Sequence, residues 1–143
     1  MTLQNRADLA AATYLEQDIR TSNPLALVAR VLELAVQHVN RARAALAIRD
    51  LVVKGREVHD ASRCVSLLQC SLDMEKGGDV ARNMDRLYAY LLRRLTDGHL
   101  RNDDGAFQEV ARHLTELAGA WREVASRKIE SGRESETVVA AAR

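Results

Sequence analysis

Four histidines, two cysteines and one glycine pair are the residues whose types could do chemistry in this chain. Glu109-Val110-Ala111-Arg112-His113 comes nearest to a di-metal carboxylate motif. A Glu-x-x-His pair puts both ligands on one helix face. Here the spacing is one residue too long, and the stripe positions around it are apolar. His38, His59 and His99 are scattered, and no Cys/His spacing suits zinc. They read as surface or boundary histidines. Cys64 and Cys70 fall on one helical pattern, about 240° apart around the axis and about 9 Å along it. That is too far for a disulfide, so they read as reduced, small apolar residues. Gly77-Gly78 follows Lys76 and opens a helical pattern, but no strand precedes it and the Gly-Lys-Ser/Thr order is missing. It reads as a turn rather than a phosphate cradle. No serine or cysteine stands where a base would activate it. These residues call for no metal and no cofactor, and they point away from catalysis.

The elements that would carry them are helices. Apolar residues make up 47 % of the 143 positions and aromatic residues 3 %, with one proline. Ala, Leu, Arg and Glu dominate, and alternating β-branched runs are absent. Charge is nearly balanced at +1, so nucleic acid or a membrane surface is not attracted by bulk charge. No apolar run reaches the length of a membrane span, and the N-terminus lacks the form of a signal peptide. The protein is expected in the cytoplasm. A short Ala-rich helix is expected at 8–19, followed by an Asn23 cap with Pro24 at the first helical position. Helices at 24–48 and 53–73, a Gly77-Gly78 connection and a helix to about Asp97 follow. A polar loop at 98–105 and a helix from about Ala106 complete the pattern. Short connections argue for an all-α, antiparallel up-down four-helix bundle with the extra N-terminal helix lying across it. Residues 1–130 form one domain, and residues 131–143 a flexible C-terminal tail.

A bundle helix needs an apolar stripe of about 100° or somewhat more. The fourth expected helix buries Val80, Met84, Leu87, Leu91 and Leu95, and Tyr88, Tyr90 and Leu92 widen its arc to roughly 200°. In the last helix Phe107, Val110, Leu114, Leu117, Trp121 and Val124 face the core along a single stripe. Leu27, Leu34 and Ala45 add a second stripe to the 24–48 helix. Leu67 and Cys70 lie outside the inward set of the next one. Such excess suits a furrow that captures an amphipathic segment. An exposed furrow also permits weak self-association.

Several motifs together carry a family likeness. Ser71-Leu72-Asp73-Met74-Glu75-Lys76-Gly77-Gly78, then Asn83, Leu87-Tyr88, Tyr90 and Arg93-Arg94-Leu95, then Leu100-Arg101-Asn102-Asp103 and Ala120-Trp121 are the strongest part. Ser22-Asn23-Pro24 and Tyr14 add to it. The chain resembles the flagellin-specific export chaperones of the FliS family from about Tyr14 to Val124. Where that family often has an aromatic-acidic-glycine run, this chain has Arg30, Leu32, Glu33 and Leu34. The resemblance implies a non-enzymatic cytoplasmic protein that needs no cofactor. It would bind the disordered C-terminal segment of flagellin, prevent early polymerisation and help deliver it to the type III export apparatus. Leu27, Val31, Leu68, Leu72, Leu87, Tyr88 and Leu91 are the expected lining, and Asn83 and Arg94 the expected polar contacts. Tyr14, on a helix that could occupy the groove, is the expected contact with the export gate. One alternative is a general bundle adaptor with another client. Another is a histidine phosphotransfer domain, because His113-Leu114-Thr115-Glu116-Leu117 is similar to such His-centred helices. Glu116 would repel a phosphoryl group on His113.

Overall fold

A computed structural model describes the backbone of residues 24–141 and the side chains of residues 24–127. The expected helix at 8–19, Tyr14 and the Asn23 cap lie outside the described residues. Four helices follow in order: α1 (Pro24–Ala47), α2 (Leu51–Cys70), α3 (Met74–Arg101) and α4 (Asp104–Ala141). There is no strand among the described residues. Each helix packs on two others, in the pairs α1–α2, α2–α3, α3–α4 and α4–α1.

The connections are shorter than the apolar pattern suggests, because backbone and side-chain caps close the helix ends tightly. After α1 the Asp50 amide donates to the Ala45 carbonyl at 2.9 Å and the Arg49 amide to Leu46 at 3.0 Å. This pair of bonds caps a helix through a left-handed residue, here Arg49 at φ 60°. Asp50 then accepts from the Val53 amide at 3.2 Å, so α2 starts at Leu51 and not at Val53. The second connection is residues 71–73. Asp73 caps α3 through the Glu75 and Lys76 amides at 3.1 and 3.0 Å.

Gly77-Gly78 is therefore not the connection that its composition suggests. Met74 opens one helical turn, Gly78 breaks it at φ 53°, ψ −129°, and the long part of α3 restarts at Asp79. The loop expected at 98–105 shrinks to residues 102–103. Gly98 is buried inside α3 because the Phe107 ring lies 2.6 Å from where a Cβ would stand. It is a packing glycine, not a helix breaker. Asn102 ends α3 in the left-handed region at φ 50°. Buried Lys54 of α2 reaches across to donate to the His99 carbonyl at 2.9 Å and to Asn102 Oδ1 at 2.5 Å. A cation there complements the negative end of the α3 dipole.

The core holds Leu32, Val39, Val65, Tyr88, Leu91, Leu95, Phe107, Val110 and Leu114, all essentially inaccessible. The inward stripe of α3 is turned by roughly 30° from the expected one. Ala81, Tyr88, Leu91, Leu95 and Gly98 are buried, whereas Val80 is 68 % exposed and Met84 and Leu87 are half-buried. Ala81 and Tyr88 lie within about 80° of Leu91; Val80 lies only about 20° from it, so its exposure comes from the open end of the bundle and not from its helical phase. Val124 likewise leaves the core, which α4 continues through Ala118 and Ala125.

Polar straps close the rim between all four helix pairs. Arg43 Nε and Nη2 hold Asp104 at 2.9 and 3.1 Å, and Arg122 pairs with Glu33. His38 Nδ1 lies 2.6 Å from Glu57 Oε2, and Gln69 donates to Asp85 Oδ1 at 3.0 Å. Arg94 Nε donates to Glu109 Oε2 at 2.9 Å. Among the described residues no helix is long and apolar enough to cross a membrane.

Candidate functional site: an apolar trough at one end of the bundle

Where α2 hands over to α3, the helices leave an open, mainly apolar trough of about 380 Å³. Leu25 and Val28 contribute from the start of α1, and Leu68, Ser71 and Leu72 from the end of α2. The opening turns of α3 supply Lys76, Gly77, Val80, Ala81, Met84 and Tyr88, and α4 supplies Trp121. Tyr88 and Leu68 form the floor, at 1 % and 3 % exposure, and Val80 stands open on the wall. Leu67 and Met74 are also exposed on the same two helix ends.

The Gly78 break positions this wall. One capped turn carries Lys76 and Gly77, and the restarted helix presents Val80 and Met84 beside them. Asp73 and Lys76 are the charged groups at the edge. The Tyr88 hydroxyl makes no hydrogen bond among the described residues, and burial pushes its phenol from 10.0 up to about 12. It stays a neutral donor over the whole physiological range.

The trough brings together three of the ten residues expected from sequence: Leu68, Leu72 and Tyr88. Leu27 and Leu87 are half-buried elsewhere, and Val31 and Leu91 belong to the core. Asn83 is exposed off the trough. Arg94 is committed to Glu109 at 2.9 Å and to Asp97 at 3.6 Å. Tyr14 lies outside the described residues. Of the residues that widen the apolar arcs, Tyr88 alone lines the trough; Ala45 is buried and Leu27, Leu34, Tyr90 and Leu92 are half-buried. A helix in a four-membered ring faces two neighbours, and this consumes most of the surplus. The unread contributors include Leu25, Val28, Lys76, Val80, Met84 and Trp121. Val28, Val80, Met84 and Trp121 sit on inward stripes, and only the bundle's end leaves them partly uncovered.

A second polar cluster lies between α3 and α4. Tyr90 donates its hydroxyl to Glu109 Oε1 at 2.5 Å while Arg94 holds the other oxygen. The Tyr90 hydroxyl first, and Arg94 with it, holds the Glu109 carboxyl below its ordinary range. His113 Nε2 lies 3.8 Å from the same carboxylate. These groups satisfy one another and form a strap.

An open apolar trough between packed helices is the kind of surface that can take an amphipathic segment, and the described residues that form it are all helical. The profile of the family described as Flagellar protein FliS matches residues 6–128. The chain is 35 % identical over 115 residues to the flagellar secretion chaperone FliS of Salmonella typhimurium, covering 80 % of this chain and 85 % of that one. It is 30 % identical over 107 residues to the flagellar secretion chaperone FliSB of Pseudomonas aeruginosa, covering 75 % and 85 %. Vibrio cholerae FliS is 26 % identical over 110 residues, covering 77 % and 81 %. The chain belongs to the FliS family of flagellar secretion chaperones.

Proposed function

We propose that this chain holds the C-terminal segment of flagellin in the cytosol, keeps it from polymerising early and delivers it to the flagellar export apparatus. The observation that carries the reading is the trough: an apolar floor, an uncovered Val80 wall and a free Tyr88 hydroxyl at one end of an otherwise closed core. An amphipathic tail would bury its apolar face there and leave its polar face in water. Ordering that tail costs about 2–5 kcal/mol or more, so several apolar anchors must contribute about 1.5–3 kcal/mol each. Val80, Met84, Leu72 and Val28 are suited to this because they are partly open before binding.

The connections at 48–50, 71–73 and 102–103 support an up-down arrangement, since so few residues return the chain only to an antiparallel neighbour. Residues 1–130 are the folding unit in this reading, with 131–143 as its tail. The segment around Tyr14 precedes Leu25 at the trough edge. We assign it a competing role, in which it occupies the trough until flagellin arrives and then meets the export gate.

The test is calorimetric titration of the full chain with a flagellin C-terminal peptide. Micromolar to nanomolar affinity is expected, about −8 to −12 kcal/mol. Val80→Asp should weaken it at least tenfold with helicity unchanged, because Val80 is open and takes no part in the core. Unchanged affinity in both Val80→Asp and Leu72→Asp would remove the trough from the binding site. Deleting residues 1–16 should raise affinity if that segment competes; lost thermal stability without that gain would end the competing role.

A further inference from the structure

We propose that His38, Glu57 and Asp60 form a binding site for one divalent transition-metal ion of the Zn²⁺ type, bridging α1 and α2. His38 comes from the middle of α1. Glu57 and Asp60 stand at i and i+3 on α2, and so share one face of that helix. One ligand atom from each lies within 4.8 Å of the other two. No sequence spacing reveals this site, because its nitrogen and its oxygens come from different helices.

Three observations favour a cation. The groups are all half-buried, so their rotamers are restrained before an ion arrives. The cluster holds two carboxylates against one imidazole, and no arginine or lysine bridges to any of the three among the described residues. His38 Nδ1 is spent on Glu57 Oε2 at 2.6 Å, and Asp60 makes no hydrogen bond or ion pair among the described residues. The Asp60 charge is felt one turn on, where the Cys64 thiol is pushed up to about 11 by burial first and by Asp60 second.

One imidazole nitrogen and two carboxylate oxygens form the donor set of an open zinc site, with water completing the tetrahedron. Ca²⁺ needs six to eight oxygens and Mg²⁺ a near-ideal octahedron, so neither is served by these three groups. Binding would replace the His38–Glu57 hydrogen bond by two coordinate bonds and draw Asp60 inward. None of the three lines the trough, so the ion would staple α1 to α2 without entering the client site.

The experiment is titration of the untagged full chain with Zn²⁺ by calorimetry and with Co²⁺ by visible absorption. One ion per chain with micromolar affinity is expected, together with the d–d bands of a tetrahedral N/O site. His38→Ala and the near-isosteric Asp60→Asn should each weaken binding at least tenfold with helicity retained. His59→Ala, one step away on the exposed face, should leave binding unchanged. Absence of binding at a hundredfold excess of Zn²⁺ would overturn the proposal. So would binding that survives both His38→Ala and Asp60→Asn, or that is lost in His59→Ala or Cys70→Ser instead.

Discussion

Tyr88 shows how one side chain can serve the core and the site together. Its ring is enclosed, yet it lines the trough floor. An aspartate there would bury a charge in the core and report on folding rather than on binding. Its phenol titrates near 12 when folded and near 10.0 otherwise. The folded value is raised, so this contribution to stability is complete below pH 10 and is lost as pH climbs towards 12. Melting followed by circular dichroism across that window should show a fall in Tm for the native chain and a smaller one for Tyr88→Phe. Glu109 acts at the other end of the scale. Its folded value lies below the ordinary 4.5, so its contribution is present above that pH and fades as the solution is acidified further. Arg49 presents a simpler case. It holds a left-handed φ of 60° that glycine adopts without a Cβ penalty. Arg49→Gly should raise stability by about 0.5–1 kcal/mol in urea unfolding, since the cap bonds belong to the backbone.

At the level of the elements, helix ends decided what composition could not. Gly98 reads as a breaker, and by helix propensity an alanine there would gain about 1 kcal/mol. The Phe107 ring at 2.6 Å reverses that sign, so Gly98→Ala should lower stability by about 1–3 kcal/mol in urea unfolding. Lys54 is buried on α2, yet it closes the end of α3. Lys54→Met would keep the stem and leave the His99 carbonyl and Asn102 Oδ1 unpaired, at a cost of about 1–3 kcal/mol. Amide exchange at residues 98–103 should accelerate in that variant more than elsewhere. Much of the last two helices was legible beforehand: Leu91, Leu95, Phe107, Val110 and Leu114 are buried as their spacing requires. The exposure of α3 near its start was not. Val80 shares the helical phase of Leu91, and only the missing cover at that end of the bundle leaves it open.

Across the whole molecule, a closed ring of four helices spends most of its apolar surplus internally and leaves an uncovered trough at one end. The same trough would let free copies associate at high concentration. Sedimentation should show that association fall both in Val80→Asp and on adding the flagellin peptide. Composition, helical periodicity and the motifs from Ser71 to Trp121 sufficed to determine an all-helical chain of the FliS family. They follow from local preferences and from residue identity, which need no knowledge of neighbours. Which residues line the trough was decided only in three dimensions. Leu25, Val28, Val80, Met84 and Trp121 come from three different helices, and they meet because packing sets the start of α1, the start of α3 and the middle of α4 side by side. The same holds for His38 beside Glu57 and Asp60: proximity between helices is a property of packing, and no spacing along a single chain encodes it.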